Sequence, residues 1–340
     1  MPADPNDPGA GLFRRNNPGL TLPDFQKQFS RVLALDFEAT PDGSCFHIGA
    51  VLGDGSFCRK NITDLGAALQ DLSVFARTAE YLLGHNIIHH DLPLAAGTGC
   101  GGSLLDLPVI DTLFLSPLAF PENPYHRLVK DYKLVRTSKN DPVADARLAL
   151  AIFQDQMAAF WGLNQTCPGL IQFLAFAFSD FCLAPQFNLR GIHDLFESLS
   201  RTTVDRAEAL GLFKDLTFEK VCPKGLEDLW TLQGEKVSQT PVFAYLLSWL
   251  RVSGKNSIIP PWVRHRFPEI STFLKQLRYA CGHGECFYCR SHNDSLSLLN
   301  QYFGFDQFRT DSTGTSLQKQ IVEAGIQGNS LLGILPTGGG

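Results

Sequence analysis

The chain has 340 residues, carries a net charge of -5 and is 44% hydrophobic, which predicts more than one globular domain and excludes a coiled coil, collagen and wholesale disorder. Its acidic balance excludes a uniformly basic nucleic-acid-binding protein, although it allows local basic patches. No apolar run reaches the roughly 18 residues needed to span a bilayer, so we expect no membrane partner.

The N-terminal segment, residues 1–24, is predicted to be a flexible arm. It is rich in Pro, Gly, Asn and Asp, shows no periodicity and is interrupted at Pro23. It also lacks the apolar core of a secretory signal. Without an export signal, the 9 Cys indicate a reducing, cytoplasmic environment, where clustered Cys bind metal more often than they form disulfides.

Residues 25–165 are predicted to form an α/β domain. Apolar runs predict strands at 31–40, 45–52 and 56–62, with a hairpin turn at Asp54-Gly55 between the last two. The pattern then predicts a helix at 67–79, a strand at 80–84, a helix at 85–96, a strand at 104–115 and an amphipathic helix at 145–161. Strands followed by alternating helices and strands are typical of an α/β layer fold.

Short helices are predicted beyond residue 166, at 204–213, 225–232, 241–252 and 270–279. We therefore predict a helical connector over 166–270. A small zinc-binding module is predicted over 271–297, and the start of a further domain over 298–340.

Two carboxylates share one face of the first strand. Asp36 and Glu38 are two residues apart, and the period of a strand directs both side chains to the same side. Neighbouring carboxylates repel each other unless divalent cations lie between them, and Mg²⁺ and Mn²⁺ prefer oxygen ligands. Asp91, which follows Gly84-His85-Asn86, and Asp145, which opens the amphipathic helix, are candidates to complete a two-metal site. The alternative is that each of these two caps a helix.

These segments resemble the three motifs of the DEDD exonucleases of the ribonuclease-H-like superfamily. Residues 36–40, 84–91 and 140–146 are similar to the first, second and third motifs, in that order, and the resemblance covers about residues 30–160. It implies a mixed sheet flanked by helices and a 3′→5′ exonuclease activity. It also implies two metal ions held by Asp36, Glu38, Asp91 and Asp145.

The chain departs from this family at the general base. One subgroup has His five residues before the last Asp, where this chain has Asn140, and another has Tyr four residues before it, where this chain has Asp141. Asn can orient water but cannot accept its proton at neutral pH. The base is therefore absent, replaced by Asp141, or supplied by His89, His90 or His126. A slow or partner-dependent nuclease and an inactive metal-binding fold are both consistent with this departure.

A basic segment precedes the third motif. Residues 125–139 carry five basic residues and one acid, and Arg127, Lys130 and Lys133 recur every three residues with Tyr132 among them. Basic side chains interleaved with aromatic rings are typical of a track that binds phosphates and stacks bases. The alternative is a solvated, charged helix face.

Three Cys and two His lie within residues 281–292. Cys281, Cys286, Cys289 and His292 have the short, turn-rich spacing with which one segment supplies four zinc ligands, and His283 is a reserve fourth ligand. A closed set of four ligands leaves no open position for catalysis, so we predict a structural zinc ion. The alternative is reduced free thiols in a loop. The six other Cys are interpreted as packing residues.

The C-terminal segment, about residues 300–340, resembles the start of the RecQ-family DNA helicases. Residues 303–309 are similar to the family's adenine-recognition segment, and an apolar strand runs into a Pro-Thr-Gly-Gly-Gly sequence like a phosphate-binding loop. The nucleotide-binding residues that this resemblance implies are Gln318, Thr337, Gly338, Gly339 and Gly340, with six residues before Gln318 interpreted as an insertion. We expect the chain to be the N-terminal part of a longer protein, without ATP hydrolysis of its own. The alternative is a Gly-rich tail.

The sequence thus predicts a cytoplasmic, metal-dependent 3′→5′ DNA exonuclease domain followed by the start of a RecQ-like helicase. The expected cofactors are Mg²⁺ or Mn²⁺ at the carboxylates and a structural Zn²⁺. The expected partners are DNA, single-stranded or with free 3′ ends, and the helicase remainder, and the choice of DNA over RNA depends on the helicase resemblance alone. The alternative is a weak or inactive nuclease fold that positions DNA for the helicase.

Overall fold

The computed structural model describes residues 20–39, 46–99, 102–123, 141–180, 187–233, 240–252, 258–279, 281, 283, 285–327 and 329–334. These residues belong to two compact units. The first is drawn from Met1–Leu212 and Val237–Pro261, and the second from Phe213–Lys236 and Trp262–Gly340. The region predicted as a separate connector, 166–270, is therefore divided between the two units.

The strands are β1 (Val32–Ala39), β2 (Phe46–Leu52), β3 (Gly55–Ile62), β4 (Tyr81–Gly84) and β5 (Val109–Asp111). The first five helices are α1 (Leu22–Gln28), α2 (Leu65–Phe75), α3 (Asp91–Gly97), α4 (Thr112–Ala119) and α5 (Pro142–Thr166). The next five are α6 (Pro168–Phe178), α7 (Arg190–Ser200), α8 (Arg206–Leu216), α9 (Pro223–Gln233) and α10 (Thr240–Val252). The last five are α11 (Pro261–Arg266), α12 (Ile270–Arg278), α13 (Phe287–His292), α14 (Ser295–Phe303) and α15 (Leu317–Ile326).

The first unit is built on one mixed sheet with the strand order β3-β2-β1-β4-β5. Strand β2 is antiparallel to both β1 and β3, whereas β1, β4 and β5 are parallel, so β2 alone runs against the other four. The predicted hairpin between β2 and β3 is confirmed, because Leu52 pairs with Gly55. Its two turn residues are Gly53 and Asp54, one position before the predicted Asp54-Gly55, and Gly53 takes the positive φ of 57°. The prediction of an α/β fold with a mixed sheet and flanking helices is confirmed at this level.

Strand β1 lies at the centre of the sheet and is apolar along most of its length. Its residues from Val32 to Leu35, and Phe37, are buried. Such a continuous apolar run is expected where a strand has neighbours on both sides and is covered on both faces. The polar residues of β1 are therefore confined to its carboxyl-terminal half.

Helix α5 lies against the sheet and contacts β1, β2 and β4. Its buried face includes Phe153, whose ring meets Phe29 edge-on at 5.9 Å, and Phe160, whose ring meets Phe196 of α7 edge-on at 5.0 Å. Edge-to-face aromatic pairs of this kind add about 0.5–1.5 kcal/mol to the free energy gained from burial. This packing fixes the position of α5 on the sheet.

Several segments differ from their predicted structure. Helix α1 begins inside the predicted arm, because Thr21 and Asp24 form a capping box and a Pro in the first turn favours a helix start. Residues 112–115, predicted as strand, begin α4 with Asp111 as the N-cap. Helix α3 begins only at Asp91, although the helix is predicted from residue 85. Residues 331–334, predicted as an apolar strand, form no strand and are exposed. The helices without a counterpart in the prediction are α6, α7, α11, α13, α14 and α15.

The second unit is helical in its described residues. Helices α9 and α12 pack together, and α14 contacts α13 and α15. Buried Leu226 and Leu229 on α9 and Phe273 and Leu277 on α12 form its apolar centre. None of the described helices is both long and apolar enough to cross a membrane.

Candidate functional site

Asp36 and Glu38 lie on one face of β1 near its carboxyl end, and both side chains are half-buried. In the pairing of β1 with β2, Asp36 stands opposite Gly49. Strands β4 and β5 run parallel to β1 and end at Gly84 and Asp111. The residues that follow these strands therefore reach the same edge of the sheet as the two acids.

Helix α5 brings Asp145 to these two carboxylates. The helix begins with Pro142, and its N-cap Asp141 accepts a hydrogen bond of 3.2 Å from a backbone N–H of the first turn. Asp145 lies in that turn. One carboxylate oxygen of each of Asp36, Glu38 and Asp145 lies within 4.8 Å of the other two. The structure thus brings together three of the four acids that the sequence singled out.

Asp91, the fourth acid, contacts the backbone of β1. It is the first residue of α3 and only 2% exposed, and its Oδ1 accepts a hydrogen bond of 2.7 Å from the N–H of Phe37. The Nδ1 of His90 lies 3.5 Å from the same oxygen. Because Phe37 lies between Asp36 and Glu38, this hydrogen bond fixes the part of β1 that carries those two acids.

The acids raise the proton affinity of the site. Burial, and then the negative charges of Asp91, Asp145 and Glu38, raise the pKa of Asp36 to about 8. Burial also raises the pKa of Asp91, against the hydrogen bonds that it accepts. Without cations the site therefore favours protons, and a divalent cation bound there would relieve the same repulsion.

A further buried acid at this edge of the sheet was not identified from the sequence. Asp111 is fully buried, and its carboxylate accepts hydrogen bonds from the N–H groups of Asn86, Ile88 and Leu113. Burial raises its pKa to about 7, although these three hydrogen bonds favour the charged form. The available signal was an acid at the end of an apolar strand, the same pattern as in β1. The prediction of one strand over 104–115 concealed it.

The candidates for a general base are only partly described. Asn140 and His126 lie outside the described residues. Asp141 caps α5, and the ring of His89 lies 5.8 Å from an aromatic ring of α4. His90 is the candidate beside the acids, where a hydrogen bond to the neighbouring carboxylate raises its pKa.

Several other predicted site residues also fall outside the described part of the chain. They are Arg127, Lys130, Tyr132 and Lys133 of the basic segment and Thr337, Gly338, Gly339 and Gly340 of the predicted phosphate loop. Gln318 is described and lies in the first turn of α15.

Four Cys sulfurs meet in the second unit. Cys281, Cys286 and Cys289 are joined by Cys222, and the four Sγ atoms all lie within 4.8 Å of one another. The Sγ atoms of Cys222–Cys286, Cys222–Cys289 and Cys281–Cys289 are 3.6 Å apart. Four sulfurs bound to zinc at about 2.3 Å in a tetrahedron are about 3.8 Å apart, whereas a disulfide needs about 2.05 Å. The spacing therefore suits a tetrahedral metal site and not a disulfide.

His292, predicted as the fourth ligand, is not part of this cluster. Its Nδ1 lies 2.9 Å from Ser291 Oγ and 3.1 Å from the carbonyl oxygen of Tyr288, and its ring stacks on that of Tyr288 at 4.2 Å. The reserve ligand His283 has its Nε2 3.7 Å from Asp228 Oδ2. The structure replaces both histidines by a cysteine that the sequence analysis had assigned to packing.

The fold positions Cys222 by its backbone and its sulfur. Its N–H donates to the carbonyl oxygen of Leu277 at the end of α12, and its Sγ accepts a hydrogen bond of 3.2 Å from Gly225 N–H in the first turn of α9. The N–H of Cys281 donates in the same way to Cys289 Sγ at 3.4 Å. N–H groups directed at sulfur favour the thiolate, which is the form that binds metal.

Burial and hydrogen bonds shift the pKa values of three of the four thiols. Burial raises the pKa of the Cys222 and Cys289 thiols. Against the effect of burial, hydrogen bonds from the Cys289 backbone and the neighbouring thiols lower the pKa of Cys286. A metal ion that binds all four sulfurs must therefore displace protons from the buried thiols.

The described residues hold two clusters with good metal-ligand chemistry, carboxylates in the first unit and thiols in the second. Carboxylate oxygens suit hard cations such as Mg²⁺ and Mn²⁺, and sulfurs suit zinc. A third group, His193, Asp194 and Glu197, lies on α7, where Asp194 is already ion-paired with Arg190 at 2.9 Å. Comparisons of the chain with protein-family models, with curated proteins and with solved structures find no match.

Proposed function

We propose that the first unit is a metal-dependent 3′→5′ exonuclease that acts on DNA and has a ribonuclease-H-like fold. The observation that carries the proposal is the meeting of Asp36, Glu38 and Asp145 within 4.8 Å of one another at the carboxyl end of a central strand. Carboxylates brought together from separated segments repel one another, and a divalent cation held between them relieves this repulsion. The mixed sheet covered by α5 is compatible with the fold that the motif resemblance implies.

In this proposal Asp36, Glu38 and Asp145 hold the divalent cations. Two Mg²⁺ or Mn²⁺ ions at such carboxylates activate water and stabilise the leaving oxygen of a phosphodiester. The packing of the fold holds these carboxylates together although they repel one another. Asp91 contributes by holding the N–H of Phe37, so that the backbone between two of the ligands stays in place.

Cleavage is expected to be slow. The family's base position is occupied by Asn140, and loss of a general base typically costs about 100- to 10,000-fold in rate. Divalent cations carry much of the activation of water in such sites, so activity is reduced and not abolished.

The test uses the full chain with end-labelled single- and double-stranded DNA, and RNA of the same sequence, in Mg²⁺ or Mn²⁺. A 5′-labelled strand should shorten progressively from its 3′ end, and Asp36→Asn and Asp145→Asn should abolish this. Asp71→Asn is the matched control, because it removes a carboxylate that is exposed and paired with Arg59. Shortening from the 5′ end would refute the polarity, and faster cleavage of RNA would refute DNA as the substrate.

A second candidate function is a DNA-binding module that does not cleave, and Asn140 favours it. Asn140→His restores a base with a pKa of about 6.5, so it should raise cleavage near neutral pH. If the native chain cleaves and the His variant is equal or slower, another residue already serves as the base. If neither cleaves but both bind DNA with the same salt-sensitive affinity, the binding module replaces the nuclease.

We also propose that the thiol cluster of the second unit holds one structural zinc ion. The 3.6 Å sulfur spacings and the N–H groups directed at two of the sulfurs support this. Four sulfurs leave no open position, so the zinc has no direct part in cleavage. Metal analysis of the purified chain should give about one zinc per chain, and a metal-free chain with an equally stable second unit would contradict the proposal.

A further inference from the structure

Asp111 is a buried acid that accepts three hydrogen bonds from backbone N–H groups. It is fully buried at the end of β5, and Oδ1 accepts the N–H groups of Asn86 at 2.8 Å and Leu113 at 2.9 Å. Its Oδ2 accepts the N–H of Ile88 at 3.2 Å. Both carboxylate oxygens are thus directed at backbone donors, and two of the three donors belong to one loop.

That loop is the connection between β4 and α3, residues 85–90, and it is tightly shaped. Asn86 has a φ of 63°, in the left-handed region that few residues other than Gly adopt. At Gly84 an added Cβ would lie 2.7 Å from Ile87 Cβ, so the loop turns back closely on the strand before it. The hydrogen bonds that Asp111 accepts from Asn86 and Ile88 help to hold the loop in this shape.

The loop leads into Asp91, whose side chain is hydrogen-bonded to the backbone of β1. The pairing of β4 with β1 ends at Ala34, so Phe37 lies beyond the last residue of β4 that could accept its N–H. Asp91 Oδ1 accepts this N–H instead, at 2.7 Å. A continuous path of short contacts therefore runs from Asp111 through the loop to the backbone between Asp36 and Glu38.

We propose that Asp111 is a positioning residue of the acidic site, which sets the place of Asp91 and through it the spacing of the ligands on β1. The inference rests on the proposed nuclease in that the positioned residues are its metal-binding acids. Asp111 itself is not one of the acids that converge within 4.8 Å, and it acts only through the loop.

The chemistry of the position requires a carboxylate. In Asp111→Asn one oxygen can still accept two N–H groups, but the amide NH₂ faces the third donor, the N–H of Ile88, and can accept nothing from it. The substitution leaves size and packing nearly unchanged. Its direct effect therefore falls on the groups that Asp111 accepts from, which are the loop and, through Leu113, the start of α4.

The experiment compares the full chain with Asp111→Asn by residue-resolved amide hydrogen exchange and by Mn²⁺ titration. Exchange at Phe37 should be at least about tenfold faster in the variant. Mn²⁺ affinity should fall about 10- to 100-fold, as expected when a group that orients metal ligands is lost. Gln156→Met is the matched control, since it removes a buried amide that bonds to Thr112 and Ser116 of α4 without touching the loop. It should lower stability while leaving Phe37 exchange and Mn²⁺ affinity unchanged.

The outcomes separate this inference from the proposed function. Unchanged Phe37 exchange and Mn²⁺ affinity in a folded Asp111→Asn variant would overturn the positioning role, as would equal losses in Gln156→Met. If Asp111→Asn does not fold, Asn86→Ala is the deciding variant, because Ala strains the same loop at the left-handed φ of residue 86. It should speed Phe37 exchange and weaken Mn²⁺ binding by smaller factors. Native exchange and native Mn²⁺ affinity in this variant would overturn the positioning role. If the native chain cleaves no DNA, the nuclease fails, while the exchange rate at Phe37 still tests the positioning role.

Discussion

The replacement of Gly49 by Ala is the sharpest test of how α5 delivers its acid to the site. Gly49 lies on β2 opposite Asp36, and the start of α5 lies directly on it. A Cβ at this position would lie 2.1 Å from the carbonyl carbon of Pro142 and 2.2 Å from the backbone nitrogen of Val143. Both are backbone atoms, so no side-chain rotation relieves the contact. The start of α5 would have to move by roughly 1.3 Å to reach an ordinary contact of 3.4 Å.

This movement is large on the scale of a metal site. Asp145 lies in the first turn of α5, so its carboxylate moves with the helix start, away from those of Asp36 and Glu38. Ligand distances are set to about 0.2 Å in metal sites, and a misplacement of about 1 Å in a catalytic group can cost about 100-fold in rate. We expect Gly49→Ala to weaken Mn²⁺ binding and cleavage by about that factor. Overpacking should also cost about 1–3 kcal/mol of stability.

The assay is Mn²⁺ titration and initial cleavage rate, with urea unfolding measured on the same samples. Gly162→Ala is the matched control, because Gly162 lies on the same helix and an added Cβ there meets nothing within 4 Å. It should leave Mn²⁺ affinity unchanged and stabilise the helix by about 0.5–1 kcal/mol. Native Mn²⁺ affinity in a folded Gly49→Ala variant would refute the reasoning.

Two further predictions follow from the other groups. The Cys222→Ser variant should lose its zinc and have a less stable second unit, whereas the His292→Ala variant should keep its zinc. Metal analysis and thermal unfolding of both variants check this. Loss of zinc in the His292 variant alone would show that His292, as predicted from the sequence, is the fourth ligand. In protein without Mg²⁺ or Mn²⁺ but with its zinc retained, the free energy of unfolding should fall as pH rises from about 4 through about 8. Asp36 has a pKa of about 8 when folded and about 3.9 when unfolded, so the folded chain binds this proton more tightly than the unfolded chain does. Asp36→Asn should flatten this fall in urea unfolding at a series of pH values, and an unchanged slope would contradict the raised pKa.

The sequence predicted the parts of the site whose geometry is local. The period of a strand was enough to put Asp36 and Glu38 on one face. The turn signal at Asp54-Gly55 was enough to predict that β2 pairs with β3, although the turn itself lies one residue earlier. These features depend on residues that are close along the chain. Their prediction needed no knowledge of how helices pack on the sheet.

The parts that were not predicted depend on contacts between distant residues. Cys222 lies 64 residues before Cys286 in the chain, so no spacing rule within one segment could select it over His292. Its local signal was a Cys followed by Pro223 and, two residues after the Pro, by Gly225, whose N–H donates to the sulfur. Asp111 was not recognised as a strand end, because the apolar run over 104–115 fits one strand as well as it fits a short strand followed by a buried helix.

The contacts that shape the acidic site are made largely to backbone atoms. Asp91 holds the N–H of Phe37, Asp111 holds three N–H groups, and Gly49 leaves room for the backbone at the start of α5. Contacts to backbone fix the path of the chain, whereas side-chain contacts fix only rotamers. An Asp side chain has two rotatable bonds, so fixing its backbone largely fixes its oxygens, as the site requires for Asp145. The longer Glu38 has one more rotatable bond, so in the proposed metal site it is the acid best able to adjust its position when a cation binds.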